Sequence, residues 1–415
     1  MRLNNFFLAV TVLGSALQVA AQELPPPPGL PSTPQAISWI DGDAMVMQAR
    51  RELEAAQHGR QALIASPYEW SARVAAQRRN YRDTTTSSNE WSAQLERPVR
   101  INGKAGLDRS LGELDVEVAR ARLARARHEA ARALVDLWVD VLAADGQQTL
   151  VQEQLSFAQR SLDAVERRRR AGDAAVLDSN LARTDLAEVE RQASMVATQV
   201  AKARARLRVR FPGEPPAAGS VPDPVAPEWP EPQWQARIVA AADSVRAAEA
   251  QLRRARVAAD RARADRVPDP TIGVFTASEA QRNERLVGIS LSVPLSGEYR
   301  SQRMRQALSE AEAAEAAVER ERRDAASGFA ETYTEALGAV SRWQIAEKGA
   351  ATARSTAQLT QRAFSLGEAQ VQGLLLARRQ ALEATRAAFE ARTDALRWRA
   401  RLLVDAHLIW NLAED

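Results

Sequence analysis

The acidic residues that follow two glycines carry the most chemical potential in this sequence. Gly172 is followed at once by Asp173 and, six positions on, by Asp178, and Gly367 is followed by Glu368. A carboxylate in the first turn of a helix is favoured by the helix dipole, and a glycine readily takes the left-handed turn that ends a helix. Glycine plus acid therefore predicts a reversal that opens a new helix. A second chemistry is open to Asp178, because like carboxylates gathered around an aqueous mouth attract cations by focusing the field. Arg167 to Arg170, just before Gly172, suit the opposite pole of the dipole at a helix C-terminus. His58, His128 and His407 are scattered and cysteine is absent, so no metal site is expected. No Ser/His/Asp or Cys/His arrangement, glycine-rich phosphate loop or paired carboxylate stands out, which argues against an enzyme and against any cofactor.

The two acidic reversals belong to a duplication. Gly172, Ala174, Val176, Leu181, Ala182 and Arg183 recur with the same identity as Gly367, Ala369, Val371, Leu376, Ala377 and Arg378, an offset of 195. Upstream, Leu95 to Gly103 and Leu291 to Gly297 each end an alternating stretch before a long Ala/Arg-rich run. The chain is two copies of one unit, with a period far too long for a solenoid.

With 5% aromatics and abundant Ala, Leu, Arg, Glu and Gln, the 415 residues have the profile of long helices. The net charge is +3, with lysine only at positions 104, 202 and 348 and the charges interspersed, which fits solvated helix faces and excludes nucleic acid as a partner. Residues 1–21 read as a secretory signal peptide: Arg2, an apolar run from Phe6 to Leu17, and Val19-Ala20-Ala21 before the cleavage point. No later run is long and apolar enough for a membrane helix, but alternating β-strands escape that test.

Five segments follow: the leader, a Pro-rich arm over 22–36, a first repeat over 37–210, a Pro-rich linker over 211–232, and a second repeat over 233–415. Each repeat opens with a helix, Ile37 to Ala65 in the first and Gln233 to Val267 in the second. A hairpin comes next. Strands are expected at about 67–82 and 89–101, and again at about 270–278 and 286–295. Along them Trp70, Val74, Ile289 and Leu291 alternate with Glu69, Arg73, Ser290 and Ser292, so one face is greasy and the other polar, the pattern of a membrane-spanning β-segment. Trp70 and Trp91 sit near strand ends, where a membrane's aromatic girdle lies, and Arg97 interrupts the apolar row near a rim. From Lys104 to Ala171 no proline intervenes, and one helix of about 100 Å is expected at about 1.5 Å per residue, matched by the run from Glu298 to Leu366. Leu186, Val189, Ala193, Val196, Val200, Ala203 and Leu207 step by three and four. Leu375, Leu382, Phe389, Leu396, Leu403 and Trp410 step by seven, so both return helices carry coiled-coil seams. Stacked end to end, the first return helix and the 233–267 helix would match the long helix beside them, and the last helix would stack on the first.

The expected fold is mainly α with a small β part. Four strands cannot close in lipid without open edges, whereas three copies supply an even-numbered barrel of about twelve. A homotrimer is the smallest solution.

The order of signal, helix, hairpin, long helix, Gly reversal, return helix and Pro-rich break, then the set again, resembles the TolC outer-membrane efflux duct family from about Ile37 to Trp410. Its marks are Ala171-Gly172-Asp173-Ala174, Leu366-Gly367-Glu368-Ala369, and the joints Arg97 to Lys104 and Val293 to Gly297. The first joint, with its Pro98 and Gly103-Lys104, is most similar to the heavy-metal-efflux branch. The resemblance implies a trimeric twelve-stranded barrel in outer-membrane lipid, an α-helical tunnel through the periplasm, and a belt near the Pro-rich segment. It also implies passive conduction of cargo from an inner-membrane pump through a periplasmic adaptor. Gly172, Asp173, Gly367 and Glu368 would form the adaptor-docking tips, and Asp178 the pore gate. Ala369, Gly373 and Leu376 fill the second-copy gate positions, leaving Asp178 to act alone. The competing reading is an exported periplasmic coiled-coil adaptor or structural protein. The alternation from Val287 to Leu295 argues against it, since a soluble hairpin would expose that face to water.

Overall fold

The computed structural model describes residues 24–84, 86–213, 221–410 and 412. The expected leader lies outside them. In chain order the elements are α1 (Thr33–Asp41), α2 (Ala44–Ala65), β1 (Ser71–Asn80), β2 (Ser87–Pro98), α3 (Lys104–Ala171), α4 (Val176–Arg210), α5 (Glu231–Ala241), α6 (Asp243–Ala264), β3 (Thr271–Glu279), β4 (Glu284–Ser292), α7 (Glu298–Ser365) and α8 (Val371–Asp405). The architecture is mainly helical with one small antiparallel sheet. No helix among the described residues is long and apolar enough to cross a membrane.

The helical frame is built on two rods. α3 and α7 are each unbroken over 68 residues, about 100 Å at about 1.5 Å per residue. Each is rich in Ala and Arg and free of proline, so nothing interrupts the backbone ladder. Two glycines of α3 let neighbours approach: a Cβ on Gly146 would lie 2.0 Å from Phe389 Cζ of α8, and one on Gly112 would lie 3.0 Å from Arg60 Cα of α2. The main core lies midway along the rods, where Leu134, Val135, Trp138, Leu142, Leu402, Leu403 and Ile409 are buried together.

The shorter helices meet the rods differently from the expected stacking. α2 and α6 pack on α3 over its sheet-side half, while α4 and α8 pack on its far half. The end of α4 meets the start of α2 through Arg210 Nε and Asp43 Oδ2, 2.7 Å apart. The end of α8 meets α5 and α6, where Arg237 Nε donates to the Ala406 carbonyl at 3.3 Å. The pairs are thus α4 on α2 and α8 on α6, the reverse of the expected partners. The expected pairing rests on matching helix lengths, which either arrangement satisfies, and the proline-rich linker after Phe211 is long enough to carry the chain across to the other stack.

Two expected helices are also divided. The first breaks at Gly42-Asp43, where Asp43 Oδ1 accepts a hydrogen bond from the Met45 N–H at 2.9 Å and so caps α2. The second breaks at Ala242, whose extended backbone separates α5 from α6. The last helix stops at Asp405, yet Trp410 still reaches the core, buried, with Nε1 donating to the Pro31 carbonyl at 3.2 Å. The heptad seam therefore outlasts the helix that carries most of it.

Candidate functional site

The sheet runs in the order β1-β2-β3-β4, every neighbour antiparallel, so the two hairpins join through β2 and β3. The register sorts the side chains. Val74 opposes Ala93, Leu95 opposes Val274, and Val274 opposes Ile289, while Ala76 opposes Trp91 and Ile272 opposes Leu291. These residues alternate with polar ones, so one face is a continuous apolar band across all four strands. Val74, Val287 and Ile289 on that face are 77%, 84% and 84% exposed. On the opposite face Arg79 reaches Glu90 at 3.1 Å, Gln77 Nε2 donates to Glu90 Oε2 at 2.8 Å, and Gln94 Nε2 donates to Ser290 Oγ at 3.3 Å. Trp70 and Trp91 fall at opposite ends of the apolar band, about 20 Å apart at about 3.3 Å per residue along β1. Arg97 sits at the Trp70 end, its guanidinium 5.7 Å from that ring.

The joint between sheet and rods is ionic. Lys104, the first residue of α3, is fully buried. Its Nζ donates to the Val267 carbonyl at 2.7 Å and to Asp269 Oδ1 at 2.9 Å. Asp269 also accepts from the Ile101 N–H and the Tyr68 hydroxyl. Burial pushes the Asp269 carboxyl up, but these hydrogen bonds and the Lys104 charge outweigh it and hold the group below its ordinary value.

At the far end both reversals use one backbone device. The Gly172 N–H donates to the Arg169 carbonyl and the Asp173 N–H to the Arg168 carbonyl; the Gly367 N–H donates to Phe364 and the Glu368 N–H to Ala363. That doubled pattern is a Schellman ending, and it demands a left-handed residue where Gly172 has φ 87° and Gly367 φ 82°. Asp173, Glu368 and Leu366 are exposed beyond the ends of the rods. The two tips are held together by a small core of Val165, Ala182, Val371 and Leu375. Asp178 Oδ2 accepts a hydrogen bond from the Ala175 N–H at 3.2 Å, so its carboxylate caps the start of α4.

A family model described as "Outer membrane efflux protein" matches residues 45–209 and again 236–404. The chain belongs to the outer membrane efflux protein family. The two matched stretches fall on the two repeats. The cobalt-zinc-cadmium resistance protein CzcC of Cupriavidus metallidurans is 26% identical over 219 residues, 51% of this chain, and the match spans about half, 52%, of that relative. Among solved structures, the outer-membrane channel OprN superposes with a TM-score of 0.75 at 19% identity, covering 91% of this chain and 90% of that one. The outer membrane protein VceC from Vibrio cholerae gives 0.74 at 16%, covering 90% and 95%. CusC gives 0.69 at 16%, covering 90% and 91%. At such identities the likeness establishes the efflux-protein fold.

Two constellations in this efflux protein were not legible in the sequence. Asp185, buried on α4, pairs with Arg379 of α8 at 3.5 Å and so ties the two tip hairpins together. Burial raises the Asp185 carboxyl, with Arg379 opposing the rise. No local spacing links those two positions. The second concerns the histidines: His58 is isolated and exposed, but the rings of His128 and His407 lie 5.5 Å apart.

Proposed function

We propose that this protein is the outer-membrane exit duct of a tripartite efflux system, a homotrimer that passively conducts cargo delivered by an inner-membrane pump through a periplasmic adaptor. The observation that carries the reading is the sheet: an exposed apolar band backed by a polar face, with the outer edges of β1 and β4 without a strand partner among the described residues. An edge cannot be left open in lipid, because each unpaired backbone group costs several kcal/mol there. Pairing β1 of one copy with β4 of the next closes three sheets into a barrel of about twelve strands, its greasy face in lipid and Arg73, Gln94 and Ser290 in the lumen. Trp70 and Trp91 then fall at the two girdles of the membrane.

The rods support the same assembly. α6 and α8 fill the groove between α3 and α7, whereas α2 and α4 lie along the outer flank of α3, α4 also touching α8 near the tips. Met47, Met195 and Val209 on that flank are exposed, as are Ile345 and Leu359 on α7, so each copy offers an apolar flank and an apolar rod to its neighbours. In this reading residues 1–21 are the exported leader, 22–36 and 211–232 lie in the belt, and the repeats over 37–210 and 233–415 each give one tip. Gly172, Asp173, Gly367 and Glu368 present those tips to the adaptor, and Asp178 lines the gate.

Cysteine is absent from the sequence, so single Cys substitutions report directly. With a water-soluble thiol reagent on the membrane-inserted protein, positions 73, 290 and 292 should label while 74, 289 and 291 stay protected. Equal labelling of both sets, or a monomer by native mass spectrometry in mild detergent, would overturn the proposal.

A further inference from the structure

Where α8 ends, four side chains from three separated segments converge. His128 of α3 and His407 after α8 bring Nδ1 and Nε2 to 3.3 Å. Asp243, the first residue of α6, puts Oδ2 at 3.2 Å from His407 Nε2 and 3.8 Å from His128 Nδ1. Asp243 is buried, and neither of its oxygens receives a hydrogen bond. An ionised carboxylate left without a donor inside a protein is costly unless something else neutralises it. Arg246, 3.6 Å from Oδ1 and half-exposed, supplies charge at a distance and no hydrogen bond.

We propose that His128 Nδ1, Asp243 Oδ2 and His407 Nε2 form a binding site for a divalent cation of the zinc class. Ligands about 2.0 to 2.1 Å from a tetrahedral Zn2+ lie about 3.3 to 3.4 Å from one another; the 3.3 and 3.2 Å separations made by His407 Nε2 match that edge, and the 3.8 Å between His128 Nδ1 and Asp243 Oδ2 would have to shorten on binding. Two imidazoles and one carboxylate select zinc and its transition-metal neighbours over Mg2+ or Ca2+, which favour all-oxygen shells. On its far side His128 Nε2 lies 3.1 Å from Asp405 Oδ1. That carboxylate, steadied by Arg132 at 3.4 Å, holds the Nε2 proton and leaves the Nδ1 lone pair for the ion. A cavity of about 490 Å³ lined by Glu117, Arg120, Asp243, Arg246 and Arg253 reaches the Asp243 carboxylate from outside and gives an ion a path to it.

The backbone adds an independent argument. The His407 N–H donates to the Val404 carbonyl and the Leu408 N–H to the Leu403 carbonyl, the same Schellman ending as at Gly172 and Gly367. At His407 the left-handed position, φ 53°, is held by an imidazole where glycine would be unstrained. Strained backbone positions cluster at functional sites, and here the strained residue places its side chain against Asp243. A bound ion would pin α3, α6 and α8 together at the belt.

The test uses the full chain, purified in detergent, stripped with a chelator and titrated with Zn2+ alone. About one Zn2+ per chain is expected, with a rise in melting temperature and a tetrahedral visible spectrum when Co2+ replaces it. His407→Gly relaxes the turn and so folds, yet it should lower Zn2+ affinity about 100-fold and abolish the Zn2+-dependent melting shift. Asp405→Asn, which loses only the orienting partner, should lower affinity about 10-fold. Absence of stoichiometric Zn2+ in the parent protein, or affinity unmoved by His407→Gly, would overturn the site.

Discussion

The two repeats share a backbone and differ in charge. Both long helices start directly after a glycine and both reversals close with the same pair of hydrogen bonds. At the sheet end, however, the first copy places Lys104 in a buried ionic joint, while the second starts its rod with Glu298, which is exposed. At the tip, Glu166 of α3 pairs with Arg183 of α4, and that bond and charge hold the Glu166 carboxyl below its usual range. In the second copy the neutral Gln361 stands in place of the acid, and the equivalent Arg378 turns instead to the other hairpin, its guanidinium 4.1 Å from the Phe157 ring. Burial lowers the Arg378 pKa. The copies share what the backbone needs and differ in charge, so only the first rod starts on a buried cation and only the first return helix has an acid in its first turn.

The largest expected effect breaks that difference at the sheet end. Lys104→Met would leave Asp269 buried without its cation, a loss of about 3–5 kcal/mol by the precedent of buried pairs broken from one side. Thermal or denaturant melts followed by helical circular dichroism measure it. Glu298→Gln, the same position in the second copy, should leave the melt unchanged. Because the Asp269 carboxyl is depressed in the folded protein, its share of stability is present above the ordinary carboxylate range and is lost as pH falls through the folded value. Lys104→Met should remove much of that acid-limb loss, and a full acid limb in the variant would show that Lys104 does not hold Asp269 down.

The reversals should respond alike, since they are the feature the copies share. No atom lies within 4 Å of a Cβ built on Gly172 or Gly367, so Gly172→Val and Gly367→Val are opposed by the backbone alone. A β-branched residue in the left-handed region costs about 1–3 kcal/mol. The cost is local, so amide exchange should quicken at the tips and pump-dependent export should weaken, while the proposed trimer, followed by native mass spectrometry, should persist. Unequal effects of the two substitutions would mean that the tips have diverged in backbone as well as in charge.

Much of this frame was legible because its determinants are local. Alternation placed the four strands, proline-free Ala/Arg runs placed the rods, and a glycine followed by an acid marked both reversals. Boundaries drifted where geometry overrode pattern: the apolar alternation continues to Leu295, but β4 ends at Ser292, the last residue with a partner in β3. The stacking of α4 on α2 was not legible, since a linker of about twenty residues sets no direction. Nor was the meeting of His128 on α3 with His407 just after α8, whose proximity follows from α8 landing on α6. Lys104 was visible only as one of three lysines and as part of a joint; its burial depends on Asp265, Val267 and Asp269, supplied by the other repeat.

The smallest effect on stability falls at Asp178, and it sharpens the comparison most, because the second copy has Gly373 at that position. Its carboxylate accepts the Ala175 N–H, so a helix-start role is already occupied, worth about 0.5–2 kcal/mol for a capping group of this kind. Charge at a gate is a separate property, and the two are separable by substitution. Asp178→Asn keeps an acceptor oxygen for the Ala175 N–H and removes the charge, whereas Asp178→Ala removes both. If three Asp178 carboxylates surround the axis of a trimer, both variants should lower cation selectivity and weaken block by multivalent cations in planar-bilayer recordings, by similar amounts. Gly373→Asp should raise both quantities by adding a second ring. Should Asn behave like the parent while Ala does not, Asp178 serves only to start α4, and the charge difference between the two tips has no part in conduction.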